Sequence, residues 1–381
     1  MNPLKIKVLM ISSDRNIAVF GSNTAERMKE YGALVEELCI VLLSDKTHGL
    51  KEVKLGENVW IYPANSSSKF LRPMDAARLG KKIVLEKKFV RGESLITTQD
   101  PFECGWAGLK VKKKWRLPLE TQLHTDPFSP YFSGLENRIR KFFVKSILRQ
   151  SDMVRVVSNE LKAKIERMTS AEVETLPIYV DQSRIQEQHM KFDVHSRYPW
   201  SFIMLAVSRL APEKNLGVAL EALSIVRKTF PDTGLIIVGS GPEEGRLRAV
   251  VKKLQLEGSV EFAGWQDDLA SFYRTANLFI QTSLFEGYGL SLIEAGLSNL
   301  PVITTPVGIA RELENGKDAY ICPPENPALF AEGITDLIAN NQKRENLKFN
   351  LKRVLETKLI SKDDYLAKIK GNWEKASRKI K

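Results

Sequence analysis

The stretch "NLFIQTSLFEGYGLSLIEAGLSN", residues 277–299, passes through three kinds of local structure. The apolar run around Leu278–Ile280 reads as a buried strand, and "LSLIEAGLSN" as an apolar helix. Gly287, Tyr288, Gly289 and Leu290 form the turn between them. Strand, turn and helix together make half of a βαβ unit. Two acids bracket the turn, Glu286 within it and Glu294 about one helical turn inside. A helix N-terminus offers free backbone N–H groups and a partial positive charge, which suit a phosphate. Glycines let a ligand approach the backbone, and the carboxylates stand ready to accept from hydroxyls. The helix dipole and ordinary turn chemistry explain the same residues without a ligand.

The pattern repeats in both directions. In the second half, "FIMLAVS", "GLIIVGSG", "SVEFAG", "PVITT" and "AYICPP" are further strand-like runs, with helical stretches between them. In the first half, "KIKVLMIS", "LCIVLLS", "VWIYPA", "SLITTQ", "PLETQLH", "MVRVVS" and "VETLPIYV" alternate with helical patterns such as 73–91 and 135–150. Continuous apolar strands fit parallel sheets covered on both faces. The expected fold is α/β: two doubly wound Rossmann-like domains facing a central cleft, with ligands at the carboxyl ends of strands. The first domain is expected over 1–180, a polar linker over 181–200 and the second domain over 201–360. A closing helix over 361–381, with Tyr365, Ile369 and Trp373 on one side, is expected to pack back on the first domain.

Composition narrows the class. A hydrophobic fraction of 43% beside 27% charged residues describes a globular chain rather than a disordered one. The three cysteines, Cys39, Cys104 and Cys322, show no CxxC spacing, and the four histidines are scattered. Reduced structural thiols are expected, and no zinc site. "MNPLKIKVLMISS" reads as a first strand, because its apolar run is short and no cleavage site follows. No run of about eighteen apolar residues occurs. The net charge of +11 favours an anionic partner, or serves only solubility.

Other strand ends in the second half carry chemistry. "VSRLAPEKN" places Arg209 and Lys214 after a strand, where two cations can neutralise a diphosphate. "IIVGSGPEEGRL" supplies a Gly-rich turn with Gly239 and Gly241. "VEFAGWQDDL" offers Phe262 and Trp265 after another strand, suited to flank a base or to pack in the core. "TTPVGIAREL" adds Gly308 before a short helix. All lie at carboxyl ends of strands in one domain, so they can converge on one ligand.

Taken in order, "SRLAPEKN", "VGSGPEEGRL", "FAGW" and "SLFEGYGLSLIEAGLSNLPVITTPVG" resemble the donor domain of the family 4 retaining glycosyltransferases, which have the GT-B fold. Glu286 and Glu294 match that family's E-x7-E pattern. The first half is consistent, with "ETQLHTD" and "VRVVSNELKAKI" in order. The resemblance implies that Glu286 binds donor-sugar hydroxyls and Glu294 the nucleotide ribose. It implies that the amides of Tyr288, Gly289 and Leu290 bind sugar and phosphate, that Arg209 and Lys214 hold the diphosphate, and that His124 stands at the mouth of the active site. The first βα loop, "SSDRNIAVFGSNTAERM", departs from the family's Gly-Gly pair; it carries Gly21-Ser22, and Gly21 is assigned to the donor side. "PIYVD" likewise replaces a common Asn-Gly turn.

The reaction implied is transfer of a hexose from a nucleotide-diphosphate sugar to an acceptor hydroxyl, with retention. No Asp-x-Asp follows a strand at the proposed site, so no metal and no cofactor are expected; "QDDL" reads as a helix cap. Retention by double displacement needs a carboxylate nucleophile. With Glu286 on the sugar hydroxyls, front-face attack with the leaving phosphate as base is the expectation. In "QLHTDPFSPYF", Asp126 is expected to orient the acceptor beside His124, ahead of a Pro-rich loop.

Two basic segments suggest the acceptor's setting. Residues 137–150 put Arg138, Lys141, Lys145 and Arg149 on one helical stripe and Ile139, Phe142, Phe143 and Ile147 on another. Upstream, "KVKKKWR" (110–116) sets Trp115 among cations. The helix alone reads slightly better as a core-facing helix with a solvated basic face, whereas the two segments together suit anionic lipid headgroups. The partners expected are a nucleotide sugar and a glycan or lipid-linked acceptor, as in surface polysaccharide or glycolipid assembly. The setting expected is cytoplasmic, peripheral at the inner face of the cell membrane. A nicotinamide dehydrogenase is the rival from another class, resting on "VGSGPEEG"; its glycine spacing is wrong and it leaves the acid pair unexplained. No nucleic-acid signature accompanies the charge. A nucleotide-sugar 2-epimerase is the nearer alternative.

Overall fold

The structure, a computed structural model, describes residues 3–129 and 135–379. The Pro130–Phe132 part of the loop after His124 lies outside the described residues. The chain forms two units, Met1–Ile178 with Ile360–Lys381, and Tyr179–Leu359.

The first unit is built on eight strands: β1 (Leu4–Ser12), β2 (Val35–Leu42), β3 (Val53–Lys54), β4 (Val59–Pro63), β5 (Ser94–Thr98), β6 (Leu119–Leu123), β7 (Met153–Val156) and β8 (Glu172–Thr175). Their order is β3-β4-β2-β1-β5-β6-β7-β8. All pairs are parallel except β3 with β4. The sequence reading missed β3 because two residues at a sheet edge make no apolar run. Leu9, Ile11, Val41, Ile96 and Leu119 are buried in the main core of the unit, with residues of the helices Arg72–Glu86 and Glu103–Trp115. All three cysteines are buried and free.

One part of this sheet is polar. Thr97, Glu120, Gln122 and Arg155 are all buried. Thr97 Oγ1 donates to Glu120 Oε2 at 2.8 Å, Gln122 Nε2 donates to Thr97 Oγ1 at 2.8 Å, and Arg155 bonds Gln122 Oε1. The helix Lys362–Ser377 closes over this patch, with Tyr365, Ile369 and Trp373 buried. Trp373 Nε1 donates to Glu120 Oε2 at 2.9 Å, and the Tyr31 and Tyr365 hydroxyls are 2.9 Å apart.

The helix Leu135–Gln150 differs from the expected two stripes. Val144, Ile147 and Leu148 face the core, whereas Ile139, Phe142 and Phe143 are exposed. Arg138, Lys145 and Arg149 are exposed beside them, and Lys141 is half-buried, donating to Ser129 O. Ile147 therefore leaves the apolar stripe for the core.

The second unit holds β9 (Phe202–Val207), β10 (Thr233–Val238), β11 (Val260–Gly264), β12 (Leu278–Gln281), β13 (Val302–Thr304) and β14 (Tyr320–Ile321). The order β11-β10-β9-β12-β13-β14 is wholly parallel. Chain order reverses between β9 and β12, which opens a crevice at their carboxyl ends. Residues 181–200, read as a linker, pack onto this unit instead. The backbone amides of Lys191 and Val194 bond Ser271 Oγ and Thr275 Oγ1 at 2.7 and 3.0 Å, and Phe192 meets Phe272 edge-on at 5.1 Å. Hydrophilic composition hid this, because backbone groups and a few side chains, Phe192, Val194 and Trp200, make the contacts.

Candidate active site

The reversal between β9 and β12 brings two distant turns together. After β9 the chain runs through Arg209 and Lys214 into the helix Leu216–Val226; after β12 it runs through Glu286 into the helix Leu290–Leu297. Leu284 N donates to Glu213 O at 2.8 Å, and Thr282 Oγ1 donates to the carbonyls of Lys214 and Asn215, each at 3.0 Å. Lys214 Nζ reaches both oxygens of Glu286, at 2.7 and 2.8 Å. Gln281 Nε2 and Ser283 Oγ donate to Glu286 Oε1 at 3.1 and 2.7 Å. Oε1 thus carries three donors and Oε2 only the ammonium, so Oε2 keeps a lone pair for a hydroxyl. Arg209 is solvent-facing and paired with Glu213. It stands at the same turn without touching Glu286. Two buried polar atoms nearby, Ser208 Oγ and Asn215 Nδ2, have no partner among the described residues.

Around this centre lie the other expected donor residues. Gly289 caps the helix with a φ of +94°, the left-handed region that glycine tolerates. The first intrahelical N–H is that of Ile293, donating to Gly289 O at 3.2 Å, so the amides before it, Leu290 among them, have no helical partner. Tyr288 is buried and its carbonyl accepts from Ile309 N at 2.8 Å, which docks the Gly308 turn on this one. Glu294 is largely enclosed. Burial raises its carboxyl above the ordinary value, against the pull of the Tyr273 hydroxyl donating to Oε2 at 2.9 Å.

Gly239 and Gly241 are placed by backbone packing. Gly239 has a φ of +129°, and a Cβ there would fall 1.9 Å from Ser208 O. A Cβ at Gly241 would fall 2.2 Å from Leu210 O. The Gly-rich turn is thereby locked to the turn that carries Arg209. Phe262 sits inside β11 rather than after it, packed on the core under the Arg248 guanidinium at 4.4 Å. Trp265, just past the strand, is 78% exposed. Asp268 of "QDDL" caps the helix Leu269–Thr275, its carboxylate accepting from Ser271 N at 3.2 Å. Gln281 and Ser283 escaped the sequence reading; the polar end of "LFIQTS" was their only signal.

In the first unit, His124 follows β6 and its ring makes no hydrogen bond among the described residues. His124 is itself exposed; the protein around it and the charges of Arg155 and Arg27 lower its pKa, so the imidazole is neutral at pH 7. Both oxygens of Asp126 are engaged, by Phe128 N at 2.8 Å and Lys164 Nζ at 2.5 Å. Gly21, at φ +77°, precedes Ser22, whose hydroxyl caps the helix Asn23–Gly32. The sequence reading missed a cavity of about 430 Å³ at the carboxyl ends of β1 and β2. Arg15, His48, Lys69, Arg72 and Arg140 line it. Arg72 is bound to Asp45, holding that carboxyl below its ordinary value, and Arg140 Nη2 meets Glu103 Oε1 at 2.6 Å. Among the described residues no cluster of His, Cys, Asp or Glu could hold a metal ion, and no helix is long and apolar enough to cross a membrane.

Residues 189–354 match the family model "Glycosyl transferases group 1", on the second unit and over less than half of the chain. An uncharacterized glycosyltransferase of Methanocaldococcus jannaschii is 25% identical over 326 residues, 80% of this chain and 79% of that protein. The chain spans half the length, or less, of several other curated relatives. Among solved structures, sucrose-phosphate synthase from Thermosynechococcus elongatus aligns over 97% of this chain and 98% of its own, with a TM-score of 0.80 at 18% identity. Anabaena HepE in complex with UDP aligns over 96% and 98%, with a TM-score of 0.72 at 18% identity. The fold is therefore GT-B, and the family resemblance lies in the second unit, over residues 189–354.

Proposed function

We propose that the chain is a family 4-type retaining glycosyltransferase that moves a hexose from a nucleotide-diphosphate sugar to an acceptor hydroxyl. The observation that carries this is the meeting of Lys214 and Glu286 at the strand reversal, beneath a helix N-terminus with open amides. An anionic diphosphate fits the amides and the cations Lys214 and Arg209, which stabilise the charge growing on the leaving group. The sugar fits the open lone pair of Glu286 Oε2, and the ribose fits Glu294.

The reaction has the leaving phosphate take the acceptor proton, so retention follows from front-face attack. Glu286 holds a lysine, a glutamine and a serine, which suits a positioning acid better than a free nucleophile. The neutral His124 and the basic cavity at the ends of β1 and β2 belong to the acceptor side in this reading. Cations and peptide dipoles do the work elsewhere done by a metal, so transfer persists in EDTA. The exposed Ile139, Phe142 and Phe143 beside Arg138 and Lys145 favour peripheral contact with anionic membrane at the cytoplasmic face, and a lipid-linked or surface-glycan acceptor.

A thermal-shift panel of nucleotide sugars, followed by NMR of the product, identifies donor and linkage. Glu286→Gln should lower kcat/KM by at least about a hundredfold, the scale of losing one aimed polar contact in the transition state, while far-UV circular dichroism shows the fold preserved. Full activity in that variant overturns the site. Release of altered free sugar without an acceptor would favour the 2-epimerase.

A further inference from the structure

A strongly basic concavity of the first unit lies away from the chemistry described above. A cavity of about 390 Å³ opens beside Pro118 and Asp152, the residues that lead into β6 and β7. It is therefore at the amino ends of these strands, whereas His124 follows the carboxyl end of β6. The length of β6, roughly 17 Å at the usual rise per residue, separates the two edges.

Arg91, Lys112, Lys113, Arg116, Arg149 and Lys379 line it, with Asp152 as its one acid. Asp152 is buried and committed: its Oδ2 accepts from Lys112 and from Leu119 N, the latter at 2.8 Å. Lys379 bonds Asp152 O at 3.3 Å and Glu172 Oε2 at 2.7 Å. Lys113, Arg116 and Arg149 have no acidic partner among the described residues. Helix ends account for part of this. Lys112 and Lys113 sit in the last turn of Glu103–Trp115, and Arg149 in that of Leu135–Gln150, where the dipole favours cations. The dipole does not require cations from two helices, Arg91 in the turn ahead of β5 and the tail after the last helix to face one hollow. Like charges so gathered repel unless an anion joins them.

We propose that this cavity is a second anion site, taking a phosphate-bearing group through Lys113, Arg116 and Arg149. Guanidinium forks and a lysine ammonium match phosphate oxygens, and the volume admits a diphosphate or a phospholipid headgroup. The site uses no residue of the sugar-nucleotide reading and stands without it. Arg149 also ends the helix face that exposes Phe142 and Phe143, so a headgroup is one source and a soluble phosphate the other.

The test titrates inorganic tripolyphosphate into the full chain by calorimetry, in a Lys214→Ala background that weakens the anion site of the second unit. Adding Lys113→Glu and Arg149→Glu, both exposed positions, should weaken binding by at least about tenfold, as expected on reversing charges at a contact. Lys113→Gln with Arg149→Gln should fall between. Equal affinity in all three proteins overturns the proposal. Co-sedimentation then separates the sources. Recruitment to phosphatidylglycerol vesicles but not phosphatidylcholine vesicles, lost in the charge-reversed protein, identifies a headgroup. Vesicle behaviour unchanged by the reversal, with tripolyphosphate binding lost, identifies a soluble phosphate.

Discussion

Glu286 and Glu294 have the same side chain and opposite surroundings. Glu286 is met by an ammonium, an amide and a hydroxyl; Glu294 has a single hydroxyl donor and little water. For Glu294 burial wins, and its folded pKa is raised. A raised acid contributes stability below its unfolded pKa and loses it as pH rises through the folded value. Glu294→Gln should thus match or exceed the parent in denaturant midpoint at pH 8, with the advantage shrinking as pH falls through the carboxylate range. A deficit of equal size at pH 8 and pH 5 would refute the desolvated carboxylate. The same variant should weaken nucleotide binding if the acid holds the ribose. The spacing of these two acids was legible in the sequence, because one turn and one helix set it. The Lys214–Glu286 contact was not, because 72 residues and three crossovers separate the partners.

At the scale of the element, β6 is instructive. "LETQL" is wholly buried, yet it carries Glu120 and Gln122. The strand can be central only because Thr97, Arg155 and Trp373 surround those side chains. Periodicity on the last helix placed Tyr365, Ile369 and Trp373 on one face, but it did not say that the indole N–H meets a buried acid. Trp373→Ala should destabilise the first unit by about 3–5 kcal/mol through the lost ring. Trp373→Phe keeps most of the ring and leaves Glu120 Oε2 short of a donor, costing about 1–3 kcal/mol. Equilibrium denaturation followed by far-UV circular dichroism reads both. A phenylalanine variant as stable as the parent would mean the hydrogen bond contributes nothing. The helix Leu135–Gln150 carries a related lesson: its period was correct, while the choice of core-facing residues among Phe142, Phe143 and Ile147 depended on the neighbouring helix and strands.

At the scale of the molecule, each unit closes a core of its own, and the last helix belongs to the first. Deleting residues 362–381 should therefore lower the unfolding transition of the first unit alone. A nucleoside diphosphate should raise that of the second unit, by about 2.7 kcal/mol at a hundredfold excess over its Kd. Differential scanning calorimetry checks both. Both perturbations acting on the second unit would contradict the assignment of the helix.

The alternation of apolar strands and amphipathic helices determined by itself that this chain forms parallel doubly wound sheets, and turn chemistry marked the strand ends that carry the candidate site. Burial of apolar faces and the needs of helix termini are local demands, so they are written locally. Which strand ends become neighbours was decided only in the tertiary structure. Strand order juxtaposes Lys214 with Glu286, seats Trp373 over Glu120 and gathers six cations at the amino edge of the first sheet. Charge pairing and polar burial act across space, and their partners are brought within reach only when the sheet is assembled.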